Sequence, residues 1–178
     1  MSLGRRTVLV GALSSIAGLA GSPAFARGLR SGAERSLAFD NLHTGERLRT
    51  AYWADGAYLP EALRRIDWVL RDHRADATHP IAPALLDLLH ALARTLDTRS
   101  FSVISGYRSP RTNAMLASHS SGVAKRSLHT VGMAIDVRVP GIPLTTLRDA
   151  ARRLGGGGVG FYPRSDFVHV DVGRVRYW

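Results

Sequence analysis

Apolar residues change period several times along the chain, and each change marks an element. In "LAFDNLHTGERLRTAYWADG", Leu37 and Phe39 alternate with polar neighbours, and Leu48, Thr50 and Tyr52 do the same on the return. The residues between them, "HTGE" at 43–46, supply a turn with Gly45, so this stretch predicts a β-hairpin. From Pro60 the period becomes helical: Leu63, Ile66 and Leu70 share one face, with Arg64, Arg65 and Arg71 toward solvent. Pro80 and Pro83 interrupt the chain, and Leu85, Leu88, Leu89, Leu92 and Leu96 form a second helical stripe.

The second half carries shorter elements. "FSVIS" alternates Phe101, Val103 and Ser105 and runs into a Gly-Tyr-Arg-Ser-Pro turn, and a short helix is expected near 112–117. "AIDVRV" and "FVHVDVG" predict strands, as does "VGFYP". "LTTLRDAARRL" predicts a third long helix, stopped by "GGGG" at 155–158, whose glycines end the helix and permit close strand packing. A hairpin, then helices, then strands with one helix among them predicts a single α+β domain with a mainly antiparallel sheet flanked by helices.

Side chains alternate across a strand, so the two late strands can be sorted by face. Ile135, Val137 and Val139 share one face of "AIDVRV", with Ala134, Asp136 and Arg138 on the other. In "FVHVDVG", Val168, Val170 and Val172 oppose Phe167, His169 and Asp171. If the valine faces meet in one core, Asp136 and His169 project into a common groove, and His129 in the preceding loop can close over it. Two histidines, one carboxylate and an open position form the ligand pattern of a catalytic zinc, which would activate water and polarise a carbonyl. A general base is then needed within reach of that water, and Asp166 and Asp171 are the candidates. A satisfied histidine beside two strand-end aspartates is the alternative on spacing alone.

Composition narrows the chemistry. The 178 residues contain no cysteine, which excludes disulfides, thiolate metal sites and cysteine nucleophiles. The formal charge is +10, carried almost wholly by arginine, since Lys125 is the only lysine. That charge favours anionic partners such as cell-wall polymers, but the arginines are scattered and form no nucleic-acid-binding block. "GGGGVG" lacks the Lys-Ser/Thr ending of a phosphate loop, and no Gly-x-Ser-x-Gly elbow is present.

The chain opens with "MSLGRRTVLVGALSSIAGLAGSPAFA". Arg5 and Arg6 precede an apolar stretch from Val8 to Ala20, and Ala24-Phe25-Ala26 ends it with small residues at the right spacing. This predicts a signal peptide over 1–26, of twin-arginine type, and a protein that works in the periplasm or outside the cell. A retained membrane anchor is the alternative. Cleavage after Ala26 would remove two arginines and no acid. Residues 27–36 are expected to be a flexible arm, and 37–178 the folded domain that would carry the zinc site.

"SLHTVGMAID" at 127–136 resembles the Ser-x-His-x-x-Gly-x-Ala-x-Asp motif of VanX- and VanY-type zinc D,D-peptidases, whose fold is shared with the Hedgehog signalling domain. With "HTGERL", "RDHR", "SGYRSP", "GGVGFYP" and "FVHVDVGRVRYW" in order, residues 36–178 more narrowly resemble the YcbK-type murein endopeptidase K family. That resemblance implies the Hedgehog/D,D-peptidase fold and one catalytic zinc on His129, Asp136 and His169. It implies Arg108 facing the oxyanion of the tetrahedral intermediate, and Ser127 as a substrate-positioning hydroxyl. Asp166 fits the place of the general base three residues before the last histidine, while Asp171 is either base or an orienting partner. The implied activity is hydrolysis of amide bonds in cross-linked peptidoglycan stem peptides. The alternatives are a D-alanyl-D-alanine carboxypeptidase and a non-catalytic wall-binding module.

Overall fold

The computed structural model describes residues 34–98, 100–119, 124 and 126–178. The predicted signal peptide, and the arm up to residue 33, lie outside the described residues. The elements in chain order are β1 (Arg35–Asn41), β2 (Arg47–Ala54), β3 (Ala57–Tyr58), α1 (Pro60–Val69), α2 (Pro83–Thr95), β4 (Phe101–Ser105) and α3 (Pro110–His119). A 3-10 turn (Leu128–Val131) then leads to β5 (Ala134–Arg138), α4 (Leu144–Leu154) and β6 (Gly158–Tyr162). A second 3-10 turn (Pro163–Ser165), β7 (Phe167–Asp171) and β8 (Arg176–Tyr177) complete them. Arg35 and Ser36, placed in the arm by sequence, already belong to β1, because β1 pairs with β2 as far back as Arg35 opposite Trp53.

The strands form one eight-stranded sheet in the order β3-β2-β1-β4-β5-β7-β6-β8. β1–β4 and β6–β8 pair in parallel, and the other neighbours are antiparallel. The chain is therefore α+β with a mainly antiparallel sheet, as the order of elements predicts. No helix among the described residues is long and apolar enough to cross a membrane.

One face of the sheet makes the core. Leu37, Phe39, Phe101, Val103, Ile135, Val137, Val168 and Val170 meet the apolar faces of α1, α2 and α4 in one cluster. Fully burying one of these larger apolar side chains contributes about 1.5–3 kcal/mol before entropy and strain are counted. Leu86 is fully buried, whereas Leu88, counted in the predicted stripe, is only half-buried against Gly156. The reason is that α2 packs against both β1 and α4, so its buried face is wider than one stripe. α3 runs on to His119, beyond the predicted 112–117, and His119 sits on its last turn with Nδ1 2.8 Å from the Met115 carbonyl oxygen.

The register between β5 and β7 matters most for function. Asp136 lies directly opposite His169, with Ile135 opposite Val170 and Val137 opposite Val168. A one-residue slip would send the two polar side chains to opposite faces, so burial of the valines fixes the polar pair as well.

Candidate metal centre

The loop after β4 is held at three successive backbone positions. Tyr107 N donates to the Leu70 carbonyl at the end of α1, Arg108 N to the His129 carbonyl, and Ser109 N to Asp72 Oδ2 at 2.9 Å. Gly106 fits only as glycine: a Cβ there would lie 2.4 Å from the Leu70 carbonyl oxygen. Asp72 is buried, and its other oxygen accepts from Arg74 N. Burial pushes the Asp72 carboxyl up, but the hydrogen bonds from Thr112 and Ser109 outweigh it and hold it below its ordinary range. This fixed loop supplies two groups to the centre, the Gly106 carbonyl and the Arg108 side chain.

His129 comes from the first 3-10 turn, where Ser127 is the cap and its Oγ accepts from His129 N at 3.4 Å. The ring is fully buried. Its Nδ1 lies 2.6 Å from the Gly106 carbonyl oxygen, which can only accept, so Nδ1 carries the proton and Nε2 keeps its lone pair. His169, on β7, is arranged the other way round. Its Nε2 lies 3.0 Å from Asp171 Oδ2, a contact that suits the tautomer with the proton on Nε2 and Nδ1 available as a metal donor.

The two free nitrogens and a carboxylate oxygen then converge. His129 Nε2 is 3.2 Å from His169 Nδ1 and 3.2 Å from Asp136 Oδ1, and His169 Nδ1 is 2.8 Å from that same oxygen. Among the described residues, these three form the group of acidic or imidazole side chains whose donor atoms all lie within 4.8 Å of one another. With both ring protons turned outward, two imidazole lone pairs and a carboxylate oxygen would face one another, an arrangement that a cation among them stabilises. The donor set therefore fits a metal ion, and two nitrogens with one oxygen suit zinc.

The electrostatics favour positive charge at this point. Burial opposes the charged form of Asp136, but His129 and His169, by charge and hydrogen bond, hold its carboxyl well below the ordinary range. Burial opposes a proton on His169, and Asp136 and Asp171 overcome it and push the imidazole up. Asp171 is itself completely enclosed. Its Oδ1 accepts from Gly158 N, Gly173 N and Arg176 Nη1 at 3.0, 2.8 and 3.1 Å, and its Oδ2 from Arg176 Nη2 at 2.7 Å. Burial raises the Asp171 carboxyl, and these partners with His169 pull it far below its ordinary range.

The centre opens into a cavity of about 520 Å³ lined by Arg108, Arg126, Ser127, Tyr162, Arg176 and Trp178, among others. Among the described residues, Asp136 is the single acid in that lining. Arg108 is largely buried, its Nη2 is a marginal 3.5 Å from Asp136 Oδ2, and its Nε is buried with no partner among the described residues. Most of its donors remain unspent.

The structure thus brings together His129, Asp136, His169, Arg108 and Ser127. Asp171 stands behind His169 and does not line the cavity. Asp166 lies between the lining residues Ser165 and Phe167, is more than half exposed, and closely ion-pairs with Arg138. Sequence reasoning missed Asp72, Gly106, Arg176, Tyr162 and Trp178. The quoted blocks "RDHR", "SGYRSP", "GGVGFYP" and "GRVRYW" contained all of them, but their partners come from distant parts of the chain.

The family model described as Peptidoglycan L,D-endopeptidase MepK matches residues 30–178. The chain belongs to that family. Its relatives include Peptidoglycan L,D-endopeptidase MepK of Escherichia coli strain K12, 42% identical over 175 residues, which cover 98% of this chain and 96% of that protein. The protein of the same name from Shigella flexneri matches over the same shares with the same identity. The Probable peptidoglycan L,D-endopeptidase MepK of Haemophilus influenzae is 42% identical over 146 residues, 81% of this chain and 78% of that protein.

Proposed function

We propose that this chain is a zinc-dependent peptidoglycan endopeptidase that hydrolyses L,D amide bonds in cross-linked stem peptides. The observation that carries it is the convergence of three potential metal-donor atoms, from His129, Asp136 and His169, at the floor of an arginine-lined cavity. Membership of a family described as Peptidoglycan L,D-endopeptidase MepK supports the substrate class. Zinc held by those three atoms would supply a Lewis acid for the amide carbonyl and a nucleophile from water near neutral pH.

The chain's own residues divide the remaining work. The Gly106 carbonyl and Asp171 hold the two imidazoles in the tautomers that leave Nε2 of His129 and Nδ1 of His169 free. Asp171 has no oxygen left for a proton from water, so its role is to orient His169, backed by Arg176. Arg108 points unspent donors at the place where negative charge grows on the carbonyl oxygen. Ser127 lines the cavity beside His129 and positions the peptide. Asp166 stands at the rim as the proton acceptor, and it takes that role on leaving Arg138.

Residues 1–26 would direct export by the twin-arginine route, which carries folded proteins and so allows the metal to be loaded first. The periplasm is where such a substrate is met.

Product analysis on purified muropeptides tests the reaction. Cross-linked dimers converted to monomers, with L,D-linked dimers consumed first, is the expected result. Stem peptides shortened by one terminal residue while dimers persist would make the chain a carboxypeptidase instead.

A further inference from the structure

Arg176 and Trp178 help to line the cavity. Arg176 and Tyr177 pair with β6, and the backbone of Trp178 continues that pairing: its N–H donates to the Val159 carbonyl, and its carbonyl accepts from Phe161 N at 2.9 Å. The indole is held on several sides. The Arg176 guanidinium lies 4.9 Å from its ring centre, and the His169 ring is 5.3 Å away, centre to centre. Gly160 lies directly beneath it, where a Cβ would come within 2.6 Å of the indole. Held in this way, Trp178 Nε1 donates to the Tyr162 hydroxyl at 2.7 Å.

That hydrogen bond sets the direction of the Tyr162 proton. The tyrosine ring is fixed at the end of β6 by stacking on Phe167 across the β6–β7 pair, 4.6 Å between centres. The indole N–H occupies one lone pair of the hydroxyl oxygen, and an indole can only donate, so the tyrosine's own proton must point elsewhere. Among the described residues it has no acceptor. Tyr162 and Trp178 both line the cavity with Arg108, Arg126 and Arg176, so its described lining is rich in donors.

We infer that Tyr162 is a substrate-binding residue whose hydroxyl donates to an oxygen of the stem peptide, and that Trp178 positions it by occupying its lone pair. The inference rests on the proposed peptidoglycan substrate. The acceptor is either a peptide carbonyl or a free carboxylate beside the scissile bond. Because the bond forms on binding, it tightens the ground-state complex and leaves the chemical step nearly untouched.

The test uses the purified protein, metal-free for binding and zinc-loaded for turnover. Calorimetry measures the affinity of the metal-free protein for the stem-peptide cleavage product. Tyr162→Phe keeps the stacked ring and removes the hydroxyl. It is expected to weaken product binding about three- to tenfold and to raise KM by a similar factor with kcat nearly constant, the size expected for one neutral hydrogen bond. Trp178→Phe keeps an aromatic wall but removes the indole N–H. It is expected to weaken binding less than Tyr162→Phe, and to have little further effect in the Tyr162→Phe background.

Thermal unfolding and zinc content should match the wild type in all three variants. Product peptides with a free carboxylate and with a carboxamide separate the two acceptors: an equal loss in Tyr162→Phe assigns the carbonyl, and a loss confined to the acid assigns the carboxylate. Unchanged affinity of Tyr162→Phe overturns the inference, as does full additivity of the two substitutions or failure of the wild type to bind the product. A wild type that binds the product but leaves dimers intact counts against the proposed reaction, while the binding comparison still decides the role of Tyr162.

Discussion

His169 is constrained from both ends of its ring. Asp171 accepts a hydrogen bond from Nε2, which favours the tautomer that turns the lone pair of Nδ1 toward Asp136 and His129. Asp171 in turn is held by Arg176 and by the Gly158 and Gly173 amides. Asp171→Asn keeps the shape but weakens this hold, so zinc affinity should fall roughly ten- to hundredfold, as for other partners of metal-bound histidines. Titration against a competing chelator measures this, and an unchanged affinity would mean that Asp171 is a structural anchor only. The three donor residues were legible from sequence because strand parity needs no knowledge of partners: Asp136 and His169 fall on the faces opposite the valines. The allotment proposed for Asp166 and Asp171 was not legible. It rests on an arginine beside each, Arg138 or Arg176, that reaches it only after the sheet has formed. The Tyr162–Trp178 bond was hidden for the same reason, since it joins strands that meet in parallel at the sheet edge.

At the scale of elements, Asp87 on α2 ties three strands to the helix layer. Its carboxylate accepts from Arg35 on β1 at 2.7 Å, from the Tyr52 hydroxyl on β2 at 2.9 Å and from the Tyr58 hydroxyl on β3 at 2.7 Å. Burial pushes this carboxyl up, but the bonds from Tyr58, Arg35 and Tyr52 win and lower it from its ordinary 3.8. A carboxyl lowered by folding adds stability above its unfolded pKa, and that stability is lost as pH falls through the folded value. Asp87→Asn should therefore be less stable than the wild type at neutral pH. The gap should begin to close below about pH 4, near the unfolded pKa of an aspartate, and vanish in stronger acid. Urea unfolding of both proteins across that range measures the gap, and a gap independent of pH would refute the clamp. The hairpin and the three long helices were legible because each runs long enough to display a period. β3 and β8 have two residues each and display none. The parallel β1–β4 pairing was also invisible, because the residues between these strands include both α1 and α2.

The whole molecule joins a strongly positive chain to a cavity whose described lining holds three arginines and one acid. Long-range attraction between exposed charges weakens as the Debye length shrinks from about 10 Å at 0.1 M salt to about 3 Å at 1 M. A His129→Ala protein should therefore bind isolated peptidoglycan at low salt and release it as salt rises, which co-sedimentation measures. Retention independent of salt would place binding in the cavity contacts alone.

Zinc dependence at the His129–Asp136–His169 centre is tested most directly by stripping the purified protein with a chelator and returning zinc stepwise while cleavage of L,D-cross-linked muropeptide dimers is followed. Cleavage should stop on stripping, return in full at one zinc per chain, and stay absent in His129→Ala, which should hold no zinc. Cleavage that survives stripping, or that persists in His129→Ala, would contradict a zinc-dependent peptidase built on these three residues.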